Sequence, residues 1–452
     1  MAKKIIDRRE KHKQQLAALG KDLQGNTQPL RIAKKTISNL FRYEGHEQDS
    51  GKRVVDLSKF NKPLYIDAKA KTLEVQGLTT MNDIVDFCLP HGLLPLITPE
   101  LKHITIGGAI VGIGIESNCY KYGFVHDSLL EADVLLPDGT IVTATATNKY
   151  SDLYYGLPNS YGTLGYVLRA KIKLRSVTDY VYLQTHKFTS SKTLLAAIEQ
   201  ATRDVSIDYV ESLVYDSKTM YLTTGKQVKT LPNDAELSSI YGSSIFYKDI
   251  SKPGDMYLPT KEYIFRYDPE WFWNVPESRL YNWYRRVAPP ALRNSGFFTR
   301  YNAFRSRHGS QTETDNNLER LIQDWEVPWP QAQGLLDFGL ANIDMIGRPW
   351  LITAIKTPAK ATCYPMQANS LYLNLGSYSF VKKRIGKEPY YNTKIMDNYC
   401  FSHDGIKMLY SSSFMSQAKF NKIYAGEKYK QIKQKYDSGK LAPTTFEKIT
   451  RS

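Results

Sequence analysis

Apolar and polar positions recur along this chain with several different periods, and the changes of period divide it. Residues 5–24 are charged on most faces and read as a polar helix. From Arg53 to Asp67, apolar Val54, Val55, Leu57, Phe60 and Leu64 are interleaved with polar residues, a strand-like pattern that Leu73, Val75 and Leu78 continue. Thr80–Cys88 switches to helical spacing, with Thr80 as N-cap, Asp83 at the third helical position, and Pro90 and Gly92 ending it. The apolar strand Leu129–Leu136 runs into Pro137-Asp138-Gly139-Thr140, a turn in which Gly takes positive φ and Asp bonds nearby backbone. Ile141–Ala144 pairs back as a hairpin. Tyr166–Leu174 alternates again through Val167, Leu168, Ala170, Ile172 and Leu174.

Residues 179–410 are less regular. Leu194–Ala201 suggests a helix, and prolines at 253, 276, 289, 290, 328 and 330 mark joints. Residues 257–304 hold 14 aromatics, a density that fits the core of a substrate domain, a lipid interface or stacking on single-stranded nucleic acid. Residues 418–436 return to a basic helical pattern. The expected class is α+β. Four regions are expected: a basic N-terminal helix or tail over 1–30, a first domain over 31–178, a cap or substrate domain over 179–410, and a basic C-terminal segment over 411–452 that packs back on the first domain.

Composition narrows the class. With 452 residues, 42% hydrophobic and 23% charged, the chain is globular and large enough for two or three domains. Disordered, collagen-like and integral-membrane chains are excluded. The net charge of +15 is uneven. Residues 1–35 carry a net +7 and residues 417–452 a net +6, so the body between them is nearly neutral. Two basic ends can face an anionic membrane, nucleic acid or only solvent. Lys3, Lys4, Arg8 and Arg9 precede no apolar stretch, so no signal peptide is expected. Cys88, Cys119, Cys363 and Cys400 are scattered, form no metal-binding or disulfide pattern, and suit a reducing cytoplasmic setting.

The candidate chemistry lies in two glycine-rich loops. The first runs from Pro99 through Glu100, Thr105, Ile106, Gly107, Gly108, Ala109, Gly112, Gly114, Ile115 and Glu116 to Ser117. Its glycines let backbone approach a ligand and offer N–H groups to a phosphate, though a tight structural turn accounts for them equally. It is neither a dinucleotide GxGxxG nor a Walker loop. The second loop is Ser160, Gly162, Thr163, Leu164 and Gly165.

Taken in order, Gly92–Pro95, Thr105–Gly108, Tyr122-Gly123, Asp138-Gly139 and Gly162–Gly165 resemble the FAD-binding domain of the vanillyl-alcohol oxidase and p-cresol methylhydroxylase superfamily. Pro99-Glu100-Leu101, Gly112–Ser117, Lys121-Tyr122-Gly123 and Gly162–Gly165 are similar to the delta(24)-sterol reductases, and to bacterial FAD-dependent reductases that saturate a methylene group on fatty-acyl chains. Tyr257–Thr260, Tyr263, Arg266, Trp271, Phe272, Gln323-Asp324, Pro349–Leu351 and Leu371–Asn374 extend the likeness to about residues 31–450.

The resemblance implies a two-subdomain FAD-binding domain of the vanillyl-alcohol oxidase type plus an α+β cap. It places Ser38 and Asn39, within Lys35–Leu40, at the first phosphate loop, where hydroxyls and an amide replace glycines. No Arg-x-x-Gly-His attachment sequence occurs, so FAD is expected to be non-covalent, with NADPH as reductant. The N-terminal membrane helix of the eukaryotic sterol enzymes is not found, and peripheral contact with anionic membrane through the basic ends is expected in its place. The implied substrate is lipophilic: a sterol or terpenoid, or a methylene-branched phospholipid acyl chain, with no specific nucleic-acid partner. An FAD-dependent alcohol or sugar oxidase is the alternative.

Reducing an isolated C=C needs a hydride at one carbon and a proton at the other. Tyr372 and Asn374 share one face of a strand by alternation and are the first candidates, together with Glu116. Lys121 and His126 follow. A merely solvated polar face is the competing reading of Tyr372 and Asn374, and a structural carboxylate that of Glu116.

Overall fold

In the computed structural model, residues 6–36, 51–241, 245–270, 283–284, 287–307 and 317–450 are described. Ser38, Asn39, Trp271 and Phe272 lie outside the described residues. Near the N-terminus, β1 (Leu30–Ala33) and β2 (Arg53–Asp56) pair in parallel. The polar helix of the sequence spans Arg9–Asp22. Its Leu16 and Leu19 pack with Val55, Leu57 and Phe60 onto Leu135 and Leu168, joining this small layer to the next sheet.

That sheet has six strands: β3 (Pro63–Asp67), β4 (Thr72–Gln76), β5 (Leu93–Pro95), β6 (Leu129–Leu135), β7 (Ile141–Thr145) and β8 (Tyr166–Ser176). The order is β3-β4-β8-β6-β7, with β5 on the far end of β8. The local signals act as the sequence implies. Thr80 caps the helix Met81–Cys88 by accepting from the Asp83 amide, and Gly92 takes a left-handed φ of 67° beyond it. The hairpin β6–β7 closes at Gly139, whose φ is 91°.

Only three residues separate β8 from β9 (Tyr180–Phe188), where a second sheet begins. It adds β10 (Tyr209–Asp216), β11 (Thr219–Val228), β12 (Gly254–Pro259), β13 (Leu318–Pro328), β14 (Trp350–Lys356), β15 (Leu371–Lys382) and β16 (Ile406–Lys407). The order is β12-β9-β11-β10-β14-β15-β13-β16, antiparallel throughout. The helices Ser191–Arg203, Ala332–Asn342 and Tyr391–Ser402 cover one face, over Val210, Val214, Trp325, Trp350, Ile352 and Leu375. Each of these large side chains stabilises the sheet by roughly 1.5–3 kcal/mol on burial. The region that reads as irregular in sequence is therefore a continuous sheet. Its pattern is disguised because several strands bury carboxylates and amides: Glu211, Glu319, Gln323, Asp324, Glu326 and Asn374 are each at most 4% exposed.

Among the described residues the basic C-terminal segment forms three helices, Gln417–Ile423, Gly426–Tyr436 and Thr445–Thr450, the first two broken at Ala425, whose φ is 51°. The second lies on the six-stranded unit. Tyr429 donates to Thr163 Oγ1 at 2.9 Å, Lys433 to the Thr163 carbonyl at 2.7 Å, and Tyr436 to Asp152 at 2.6 Å. The N-terminal helix reaches the same edge, since the Gly139 backbone sits against Leu23 and Asn26.

Candidate active site

The uncovered face of the eight-stranded sheet turns toward the six-stranded unit and is polar at one level. Thr185, Thr223, Glu211, Thr353, Asn374 and Glu326 stand directly opposite one another on six adjacent strands. Opposed residues share a face, so the six form one buried row. Thr185 and Thr223 satisfy each other at 2.9 Å. Thr353 Oγ1, Asn374 Oδ1 and Glu326 Oε1 have no hydrogen-bond partner among the described residues. Buried polar atoms are nearly always paired, so three orphans in one row make it a candidate ligand site.

One end of the row is clamped to the first glycine loop. Arg266 donates to both oxygens of Glu116, at 2.8 and 2.9 Å, and to Glu211 at 2.9 and 3.0 Å. Tyr263 and Tyr267 flank the guanidinium, with ring centroids 4.5 and 5.0 Å away. Burial alone would discharge Arg266, but Glu116 and Glu211 outweigh it and hold the cation well above its ordinary pKa. Glu116 is thus consumed by a bidentate pair joining the two units. That pairing favours the structural of the two readings open for Glu116 over a free proton donor.

The other end of the row carries a second acid. Asp324 is fully buried and receives Tyr410 O–H at 2.6 Å, Tyr378 O–H at 2.7 and 2.9 Å, and Asn374 Nδ2 at 3.0 Å. Gly376 stands opposite it, and a Cβ there would lie 2.6 Å from its oxygen, so glycine makes room for the carboxyl. Burial raises the Asp324 pKa against the pull of these donors. Glu326, bonded by Tyr364 at 2.7 Å, is raised further by burial and by Asp324.

Glu100 lies between the two acids in electrostatic reach. Its carboxyl is pushed up to about 8 by burial first, then by Glu116 against Arg266, with Asp324 adding to the rise. Tyr378, Tyr410 and Glu100 are half-buried around the fully buried acid, and Tyr378 and Tyr410 bond each other as well as Asp324. The strap carrying Tyr410 is pinned to the glycine loop, because Leu409 N–H donates to Tyr161 O–H at 3.1 Å, and Tyr161 in turn reaches the Gly112 carbonyl at 3.4 Å.

The first glycine loop is not a loop over its middle. Ile106–Val111 is a helix capped by Thr105, and its leading amides are spent: Ile106 N–H on Thr79 O, Gly107 N–H on Gly77 O, and Gly108 N–H on Thr105 Oγ1 at 3.3 Å. Gly107 allows packing, since a Cβ would meet Gly77 O at 2.8 Å. Gly114 packs on Val125 and Pro99, and Gly165 on Val134 and Leu135. Ile106, Ala109 and Leu164 point into the core. Gly108 is exposed and opens the surface. Ile115 is half-buried, and Ser117 bonds Tyr263 at 3.1 Å. Tyr122 lies beside Arg175, and Gly123 turns over the Asp127 carboxylate. Ser160 bonds its own loop, and Thr163 bonds Tyr429 and Thr445. Tyr372 O–H accepts from Gln367 N–H at 3.1 Å. His126 is held neutral by burial, against Asp127, and Lys121 is paired with Asp208.

A cavity of about 680 Å³ borders the second loop, lined by Gly162, Thr163 and Tyr166, by Leu30 and Pro137, and by Lys433 and Lys448 among others. Its walls are mixed, and although Lys433 is paired with Asp437 at 2.6 Å, Lys52, Lys430, Lys440 and Lys448 also line it, a set of cations that suits an elongated anionic ligand. The donors are hydroxyls and ammonium groups rather than helix amides. Sequence reasoning missed Asp324 as an acid, Tyr378, Tyr410 and the clamp, whose members are 150 and 55 residues from Arg266. Acidic residues inside an otherwise apolar strand were the available signal.

Comparison with known proteins bears on the cofactor and the reaction class. Residues 11–145 match the FAD binding domain family. The chain is 24% identical to the delta(24)-sterol reductase of Homo sapiens over 412 residues, covering 86% of this chain and 76% of that protein. It is 24% identical to the delta(24)-sterol reductase of Pisum sativum, covering 84% and 73%. Cytokinin dehydrogenase 5 of Oryza sativa is 25% identical but covers only 51% of this chain and 46% of its own length. The likeness to the sterol reductases therefore extends over most of this chain, and that to the dehydrogenase over about half of it.

Proposed function

We propose that this FAD-dependent oxidoreductase of the vanillyl-alcohol oxidase and p-cresol methylhydroxylase superfamily, an enzyme acting on CH–CH groups, reduces an isolated carbon–carbon double bond of a lipophilic substrate with electrons from NADPH. The observation that carries the reading is the likeness to delta(24)-sterol reductases, which extends over 86% of this chain and so well beyond the FAD binding domain match at residues 11–145. The substrate is a sterol or terpenoid, or a methylene-branched acyl chain.

Bound FAD supplies a two-electron store and a hydride donor. Gly108, Gly112, Gly162, Thr163 and Tyr166 would hold it, with Lys433 and Lys448 near its phosphates. Arg266, fixed by Glu116 and Glu211, keeps the polar row registered against that domain. Asn374 and Thr353 present unsatisfied oxygens to whatever lies between the units. Burial there excludes water, which protects a reactive reduced centre and strengthens each polar contact. Among the described residues no helix is long and apolar enough to cross a membrane. The two basic ends meet around the Pro137–Gly139 turn, and that surface rests on anionic lipid.

Anaerobic flavin bleaching tests the reading. NADPH bleaches the enzyme-bound flavin and the alkene restores its colour. Bleaching by an alcohol or sugar, with none by NADPH, would replace it by the oxidase alternative. Binding to anionic vesicles that weakens with salt supports the lipid contact, and salt-insensitive or absent binding removes it.

A further inference from the structure

We propose that the cap carries its own lipid-docking surface, centred on Trp283, Val287 and Leu292, which inserts apolar side chains into the headgroup boundary of an anionic bilayer. It is separate from the basic ends and does not depend on the reductase reading. Four of the ten large hydrophobic residues exposed among the described residues fall in this one stretch. Trp283 is 60% and Val287 57% exposed, and Leu292 and Tyr301 are exposed with them. Pro289, Pro290 and Ala291 are exposed too, so between Val287 and Leu292 only Ala288 is covered. Contiguous exposed apolar surface rimmed by polar residues marks an interaction site.

Charge and backbone identify the occupant. Residues 283–307 hold six arginines and no acid, within a body that is otherwise nearly neutral, and Arg300 among them is exposed. Arginine beside Trp and Tyr suits a membrane–water interface, where cations meet anionic headgroups and amphipathic rings sit at their level. The tip can enter such a layer because its backbone has little need of water. Pro289 and Pro290 have no N–H. Leu292 and Arg293 N–H donate to the carbonyls of Pro289 and Pro290, and Ala288 N–H to that of Tyr284. A second copy of this chain would bring the same arginines against themselves across a two-fold interface. Single-stranded nucleic acid would stack on rings, whereas the tip is aliphatic.

The surface has a firm seat. Arg293 is buried and donates to the Tyr241 and Ile240 carbonyls at 3.0 and 3.4 Å. The helix Ser295–Arg307 begins with Ser295 Oγ donating to Asp268 Oδ1 at 2.6 Å, and the same oxygen accepts from Lys102 N–H at 2.8 Å. His103 Nδ1 lies 3.3 Å from Ser295 Oγ, and its ring packs on Gly296, where a Cβ would lie 2.5 Å away. Lys102 and His103 lead into the Thr105-capped helix of the first glycine loop. The docking surface is therefore tied to the seam between the two units, and docking holds that seam close to the phase in which a lipophilic alkene is dissolved.

The test uses the full FAD-loaded chain and vesicles of phosphatidylcholine and phosphatidylglycerol whose acyl chains carry bromine. Wild type binds, and bromine quenches its tryptophan emission. Val287→Glu combined with Leu292→Glu weakens binding by about 10²-fold at an unchanged urea midpoint. Trp283→Leu keeps the binding and loses most of the quenching. Wild-type binding by the double variant overturns the proposal, and so does quenching that persists in Trp283→Leu, which would put the inserted surface elsewhere. A wild type that is dimeric in light scattering, and that the double variant makes monomeric, overturns it as well by assigning the face to a second copy. Flavin bleaching by NADPH in the same samples is unaffected by these variants, and its absence from wild type would sink the reductase reading alone.

Discussion

Asp133 and Asp324 are both buried carboxylates on interior strands, one in each sheet, and their surroundings are opposite. Asp133 takes Arg169 at 2.6 and 3.0 Å and Thr143 at 2.8 Å, with His12 at 3.4 Å, and Arg169 also reaches Glu74 and Glu131. These partners overcome burial and hold its carboxyl well below the usual range. Asp324 takes phenols and an amide, and burial wins. The Asp133 cluster is closed, with each charge met by an opposite one. The Asp324 cluster borders orphaned atoms and half-exposed rings. Charge pairing of the first kind holds a sheet together. An acid raised by burial and bonded by phenols and an amide instead of a cation is suited to moving a proton.

The largest expected effect tests that division. Arg169→Met leaves Asp133 buried beside two other acids without their cation and destabilises by about 3–5 kcal/mol in urea unfolding. Asp324→Asn keeps size and an acceptor for the phenols, and changes stability by about 1 kcal/mol or less. Similar costs for the two would break the comparison. Next comes Gly376→Ala. Its methyl would lie 2.6 Å from Asp324 and 2.8 Å from the Tyr378 ring, so it costs about 1–3 kcal/mol by overpacking and disorders the acid's contacts. An unshifted urea midpoint would show that the slot is not tight.

The pH response separates the regions by sign. Asp133 is lowered from 3.8, so its contribution is present above that value and is lost as pH falls through its folded value. Glu100 is raised from 4.5 to about 8. The folded state therefore holds a proton that the unfolded state has released, and the contribution of Glu100, complete below pH 4.5, is lost as pH rises toward 8. The stability of wild type relative to Glu100→Gln accordingly falls across that window, measured as urea midpoints in a pH series. A flat difference would place Glu100 in solvent and detach it from the Asp324 side.

The six-stranded unit was readable because local rules act there one at a time: Thr80 caps, Gly139 turns, and Val167 to Leu174 alternate. The eight-stranded sheet was not, because its site breaks the alternation that announces a strand. Leu318–Pro328 carries Glu319, Gln323, Asp324 and Glu326, all buried, and a polar residue at a core position reads as a loop. Asn374 was found through family likeness, and its strand and face follow from alternation. Its bond to Asp324, 50 residues away, depends on the register of β13 with β15. Glu116 was singled out with two roles left open, because its partner Arg266 lies 150 residues on. Glycine count located the first loop but could not say which glycines serve packing and which face a ligand.

That last distinction gives the smallest expected stability effect. Gly107 and Gly108 are neighbours on one short helix, and the division between closed and open regions runs between them. A Cβ on Gly107 meets the Gly77 carbonyl at 2.8 Å, inside the sheet unit, whereas one on Gly108 meets only Thr105 Oγ1, at 3.0 Å. Alanine at 108 also gains up to about 1 kcal/mol of helix propensity, which offsets the shift of one hydroxyl. Gly108→Ala therefore unfolds at nearly the wild-type urea midpoint. The same methyl covers the exposed backbone that the cofactor is proposed to approach, so FAD retention on gel filtration falls, and Gly108→Val abolishes it. Full FAD occupancy in both variants with unchanged stability would move the cofactor off this helix and leave the 160–165 loop with its adjoining cavity as its main seat.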